Sequence, residues 1–248
     1  MNNKIFNSEE IFISEIIYEK ITSLIPLTRN IEKIEFNQQL LKASKLIIYM
    51  YKDTKKTNVF LNQIIIYLNY NCILKTIDSK NAFIILFNNG YFSQSFHINR
   101  SIFELWAATN FIEKKLKDFF SIRNNSIIMD LATGLFSGSI YPVKLPWGNR
   151  SKERPIKIGE MLDELQNKYS NTRKNYSFLC EYCHPNFLYN LNAYLAKFQD
   201  VLWQNKLFYK ETRNNIRKQL VLLFIGLKGI KKGSENILNL LKKEYEII

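Results

Sequence analysis

Two stretches of the 248-residue chain collect residues able to move protons or hold anions. The first, "FLCEYCHPN" from Phe178 to Asn186, holds two of the chain's 3 cysteines and one of its 2 histidines. Cys180 to His184 matches C-x-x-C-H, the spacing of covalent haem attachment, and also invites metal and redox readings. Haem attachment needs export and usually a second axial ligand, for which His97 is the sole other histidine. Zinc needs four ligands, which 3 cysteines and 2 histidines barely supply. Cys183 and His184, adjacent on a helix, also point about 100° apart. A redox pair draws its thiolate character from a helix N-terminus, whereas Pro185 puts this pair at a C-terminus. The cysteines are therefore expected to be small buried hydrophobes, with no metal and no cofactor. His184 has two readings, a donor to the helix's terminal carbonyls or a group that transfers a proton or binds a ligand.

The second stretch, "SFHINRSIFELW", sets His97, Arg100 and Glu104 at helical spacing on one face, with Ala107, Ala108 and Phe111 continuing it. Charges among so many apolar residues need partners. The Arg100 and Glu104 pair is thus either a buried structural ion pair or a pre-oriented anion site.

The elements that carry these residues read as helices. Apolar periodicity after Ser8 runs to Pro26, which is expected to end that helix. Further helices are expected from Glu35 to Tyr51, Asn58 to Leu74, and Asp78 or Ser79 (as caps) to Phe87. After "NNGY" a long helix runs from Phe92 to Phe119, and the stretch from Ser121 to Gly159 reads as an irregular insertion. Helices resume from Glu160 to Lys168 and from Thr172 to His184. "YNLNAYLAKFQDVLWQNKLFY" reads as helix followed by extended chain. Two helices close the chain, Lys210 to Ile230 and Ser234 to Ile248, broken at Gly233 and capped by Ser234. The class is all-α: residues 1–75 form N-terminal helices packed on a bundle of residues 76–248, within one compact domain.

Composition limits the rest. With 8 glycines and 5 prolines, turn-rich all-β folds are disfavoured. The formal charge of +13 creates a potential that attracts polyanions, although Ile, Asn, Lys, Phe and Tyr share A/T-rich codons that enrich lysine without any partner. Glu9, Glu10 and Glu15 interrupt what an export signal would keep apolar, and the longest apolar run, Leu220 to Leu227, is far short of the roughly 20 residues that span a bilayer. A cytoplasmic protein with reduced cysteines and no membrane partner is the expectation.

From Asp78 to Asn186 the chain resembles uncharacterised bacterial helical proteins related to the HEPN superfamily. The resemblance rests on a short helix, an N-G-Y turn and a long helix bearing R-S-x-x-E. It also rests on Y-x-x-L-x-E-x-x-H-P-N, matched by Tyr176, Leu179, Glu181, His184, Pro185 and Asn186. It implies a four- or five-helix bundle, often dimeric, of toxin and antiphage systems, many of whose members are metal-independent ribonucleases. The usual nuclease signature, an arginine four to six residues before a histidine, is absent, since Arg173 precedes His184 by eleven positions. By resemblance, the catalytic set is Arg100 to hold phosphate oxygens, Glu104 to orient it and His184 to move the proton. The basic segment "GNRSKERPIKIG" supplies Arg150, Lys152, Arg154 and Lys157 to track RNA phosphates, with Asn186 beside the histidine. The same segment also fits a solvated loop. The alternative function is a non-catalytic interaction or regulatory subunit of a defence or toxin-antitoxin complex.

Overall fold

In the computed structural model, placement is described for residues 25–51, 56–88, 92–136, 156–183 and 202–245. Every regular element among them is a helix: α1 (Ile25–Glu32), α2 (Asn37–Tyr51), α3 (Lys56–Tyr67), a π-helical segment (Leu68–Leu74), α4 (Lys75–Asn88), α5 (Phe92–Ile122), α6 (Asn125–Phe136), α7 (Ile158–Lys168), α8 (Thr172–Cys183) and α9 (Leu202–Tyr245). The all-α reading therefore holds, and no helix among the described residues is long and apolar enough to cross a membrane.

The bundle is built around α5. Every residue from Leu105 to Glu113 is buried, as an α-helix is when neighbours surround it. Those neighbours are α4, α6, α7, α8 and α9, all packed against α5. Ile102, Phe103, Ile112 and Leu116 at its centre meet Leu162, Leu165, Leu179, Leu223 and Leu227 in one core cluster, which also takes in Ile31, Phe36, Ile64 and Ile65 from the N-terminal helices. Truncating a wholly enclosed aromatic such as Phe103 to alanine should cost about 3–5 kcal/mol.

Several helix boundaries differ from the sequence expectation, each for a local reason. Pro26 stands in the first turn of α1, where its missing N–H is harmless, rather than closing a helix. Asp78 and Ser79 lie inside α4, because the chain passes from α3 through the π-segment into α4 without a break. Within the expected irregular insertion, residues 125–136 form α6. It starts where Asn124 Oδ1 accepts from the Ser126 N–H at 3.0 Å, a helix N-cap contact. The closing segments are a single 44-residue helix: Leu202–Tyr209 is helical rather than extended, and neither Gly233 nor Ser234 ends anything. Gly233 lies against Thr109 and Gly229 against the Trp106 indole, so the glycines that resemble breakers are where α9 lies closest to α5. The helix expected after Ser8 falls outside the described residues.

Helix ends are tied by long side chains. Lys80, largely buried, donates to the carbonyls of Glu32 (3.3 Å) and Ile34 (3.0 Å), satisfying the end of α1. Burial lowers its pKa, and Glu35 and Glu32 counter that only in part. Arg123, in the left-handed region (φ 58), closes α5 and pairs with Glu244 of α9 at 2.6 Å.

Candidate functional site

α5 and α8 run side by side and bring together two segments of the sequence pattern. On α5, Arg100 Nε pairs with Glu104 Oε1 at 3.0 Å across one helical turn. On α8, Tyr176 donates its hydroxyl to the same Glu104 oxygen at 2.7 Å, and its ring lies 5.5 Å from the Arg100 guanidinium carbon. The pair is neither sealed in the core nor fully solvated, with side-chain exposures of 31% and 35%. His97, one turn before Arg100, is exposed.

The helical repeat explains how α8 supplies these contacts. Thr172 and Leu179 face the core, while Tyr176, Cys180 and Cys183 share the adjacent flank that meets Arg100. Burial opposes the charge of Arg100, but its contacts with Tyr176, Cys180 and Glu104 outweigh that and hold its pKa above the ordinary arginine value. Burial likewise raises the Tyr176 phenol, with Glu104 adding to the shift. Both groups therefore keep their protons: Arg100 stays cationic, and Tyr176 stays a donor.

The cysteines differ from expectation. Cys180 and Cys183 are half-buried beside the guanidinium rather than enclosed in the core, where Cys72 sits instead. Burial raises the Cys180 thiol and pushes Cys183 up to about 11, although Arg100 pulls each down. Such thiols are weak nucleophiles near neutral pH. Among the described residues no cluster of three or more His, Cys, Asp and Glu side chains could hold a metal.

Of the residues assigned from sequence, the structure brings Arg100 and Glu104 together, and it leaves Lys157 exposed at the start of α7. His184, Asn186, Arg150, Lys152 and Arg154 lie outside the described residues; α8 is described up to Cys183, the residue before His184. Arg173 is engaged elsewhere, pairing with Asp163 at 2.6 Å and donating to the Gly159 carbonyl at 2.9 Å, which locks α8 to α7. Sequence reasoning overlooked Tyr176 as a site residue. The signal was present, because Tyr176 opens the pattern that runs through His184 to Asn186.

No family model, curated protein or solved structure matches the chain.

Proposed function

We propose that the chain is a metal-independent RNA-cleaving or RNA-binding protein of HEPN-like type that works as a toxin or antiphage effector, with Arg100, Glu104 and His184 as its reactive set. The observation that carries this reading is the Glu104 carboxylate, which accepts from Arg100 on its own helix and from Tyr176 on the helix leading to His184. With side-chain exposures of 31% and 35%, Arg100 and Glu104 stay within reach of solvent and so of an anion.

In the proposed reaction His184 takes the 2′-hydroxyl proton of a ribose and the 2′-oxygen attacks the adjacent phosphorus. The 5′-oxygen leaves with a proton returned by an acid, giving a cyclic phosphate and a free 5′-hydroxyl. Arg100 stabilises the charge that builds on the phosphoryl oxygens. Its ion pair runs through Nε, so Glu104 does not take up the terminal nitrogens of the fork. Glu104 and Tyr176 set the angle of that fork. The basic segment of Arg150, Lys152, Arg154 and Lys157, together with Asn186, is assigned to the RNA strand.

The non-catalytic reading, an interaction subunit of a defence complex, draws support from the same geometry, since Glu104 with two donors also describes a simple clasp between helices. Incubating the purified protein with labelled RNA in the presence of a chelator separates the two. Cleavage that is lost in both Arg100→Ala and His184→Ala supports the enzyme. Absence of cleavage in the wild type favours the subunit.

A further inference from the structure

We infer that Lys174 and Lys218 form a second anion seat, on the flank of α8 opposite Arg100, that holds a backbone phosphate of single-stranded RNA. This rests on the RNA reading above and adds to it a place where the strand is gripped away from the reacting groups.

The seat is built from α8, α9 and the start of α5. On α8, Lys174, Phe178 and Tyr182 recur every fourth residue, so they share one flank. At 100° per residue that flank is turned well away from the Tyr176 and Cys180 flank. Lys218 of α9 places Nζ 3.9 Å from the centroid of the Phe178 ring. That ring is held in place: Tyr182 lies 5.2 Å away, Phe96 of α5 meets it edge-on at 5.9 Å, and Tyr182 stacks on Phe96 at 4.4 Å. Asn215, less than one turn before Lys218 on α9, donates to the Tyr182 hydroxyl at 2.5 Å. The Lys218 ammonium is therefore fixed over a rigid aromatic platform, unlike a mobile surface lysine.

Charge indicates what the platform receives. Lys174 stands one helical turn before Phe178 on the same flank, and Lys218 covers that ring, so the two cations come to one place; among the described residues neither has a carboxylate in ion-pair range. Burial lowers the Lys218 pKa, and repulsion from Lys174 lowers it further. Arg217 is exposed beside them on α9. A phosphate between the lysines would relieve that repulsion. Phe178 is already packed on both Tyr182 and Lys218, so the seat reads backbone charge rather than bases.

The test uses the full chain and a short, labelled, single-stranded RNA, with fluorescence anisotropy followed across a potassium chloride series. The variant Lys174→Ala with Lys218→Met removes both charges and leaves an aliphatic stem on Phe178; thermal unfolding checks that it folds. A control variant, Lys242→Ala with Lys243→Ala, removes two cations from the last turn of α9. The slope of log affinity against log salt should become shallower by about 0.7 in the seat variant, the share of one single-strand phosphate, and stay unchanged in the control. Wild-type binding with an unaltered slope in the seat variant would overturn the seat and leave the RNA reading standing, as would equal losses in both variants. No RNA binding by the wild type would overturn the RNA reading and the seat with it.

Discussion

The Tyr176 hydroxyl donates to Glu104 Oε1 at 2.7 Å across a sequence separation of 72 residues, and the same oxygen holds Arg100 at 3.0 Å. One carboxylate atom thus ties α5 to the first half of α8. Tyr176→Phe removes the donor and keeps the ring. It should lower stability in urea unfolding by about 0.5–1.5 kcal/mol, the net worth of one such bond. If the clasp orients Arg100 for chemistry, the same variant should slow RNA cleavage, whereas a purely structural clasp predicts loss of stability alone.

Arg100→Ala and His184→Ala should each abolish cleavage or toxicity in a chain that still folds, with Arg100→Ala lowering the thermal midpoint through its lost contacts with Glu104 and Tyr176. Glu104→Gln should harm chemistry less, since an amide oxygen still accepts from Tyr176 and Arg100. Growth assays on induction of each variant, paired with melting curves, check the ranking. Full activity in Arg100→Ala would remove that residue from the mechanism.

Acid sensitivity should centre on Glu113. Its carboxylate is buried, and contacts from Lys117 (2.5 Å), Asn236 (3.0 Å) and Lys168 (3.5 Å) surround it. Burial pushes its pKa up, but the lysine contacts and Asn236 outweigh burial and leave it below the ordinary carboxylate value. A depressed folded-state pKa means the stabilisation is complete above the unfolded value of about 4.3 and is lost as pH falls through the folded one. Glu113→Gln should therefore flatten the acid limb of stability against pH while lowering stability at neutral pH. Parallel acid limbs for wild type and variant would disprove the assignment.

Gly226, Gly229 and Gly233 should tolerate alanine in a graded way. A methyl at Gly226 would lie 3.2 Å from Ile102 Cγ2, and one at Gly233 would lie 2.8 Å from Thr109 Cγ2. At Gly229 it would run into the Trp106 indole. Alanine in an open helix gains about 0.8–1.0 kcal/mol over glycine, whereas overpacking a core costs about 1–3 kcal/mol. Gly226→Ala should be near neutral, with Gly233→Ala and then Gly229→Ala increasingly destabilising by thermal melt. A stabilised Gly229→Ala would mean that α9 does not approach α5 so closely.

These glycines also show why parts of the fold were hidden in the sequence. Apolar spacing located α2, α7 and α8 closely because each buries a stripe of its own residues, and α5 because its enclosed middle is apolar nearly throughout. It misread α9 because the reason for Gly233 is on another helix, at Thr109, and one-dimensional spacing cannot show that. It overlooked α6 because twelve residues lay in a stretch judged by its glycines and prolines, although Asn124 offered a cap. In the site, Arg100 and Glu104 were legible because they are partners within one helix. The cysteines were assigned to the core because their adjacency to Arg100 depends on how α8 is rotated. The lysines of the second seat come from two helices, and nothing local marks them as a pair.

The π-helical segment has a consequence of another kind. Lys75 donates its backbone N–H to Tyr70 as well as to Cys72, so the ladder from α3 into α4 carries a wide turn. Each residue added to or removed from a helix rotates everything after it by about 100°. The inward set of α4, Thr76, Lys80, Phe83 and Phe87, is thus phased against α5 and the end of α1 by how many residues precede it. Tyr70 is exposed at 59%, and the turn that holds it has one residue more than an α turn needs. Deleting one residue here would let the wide turn relax to an ordinary one and leave Phe83 in the core and Lys80 on its carbonyls. The same deletion made beyond Thr76, in regular helix, would swing everything after it by about 100°, so the wide turn is the one place in this stretch with slack in its count.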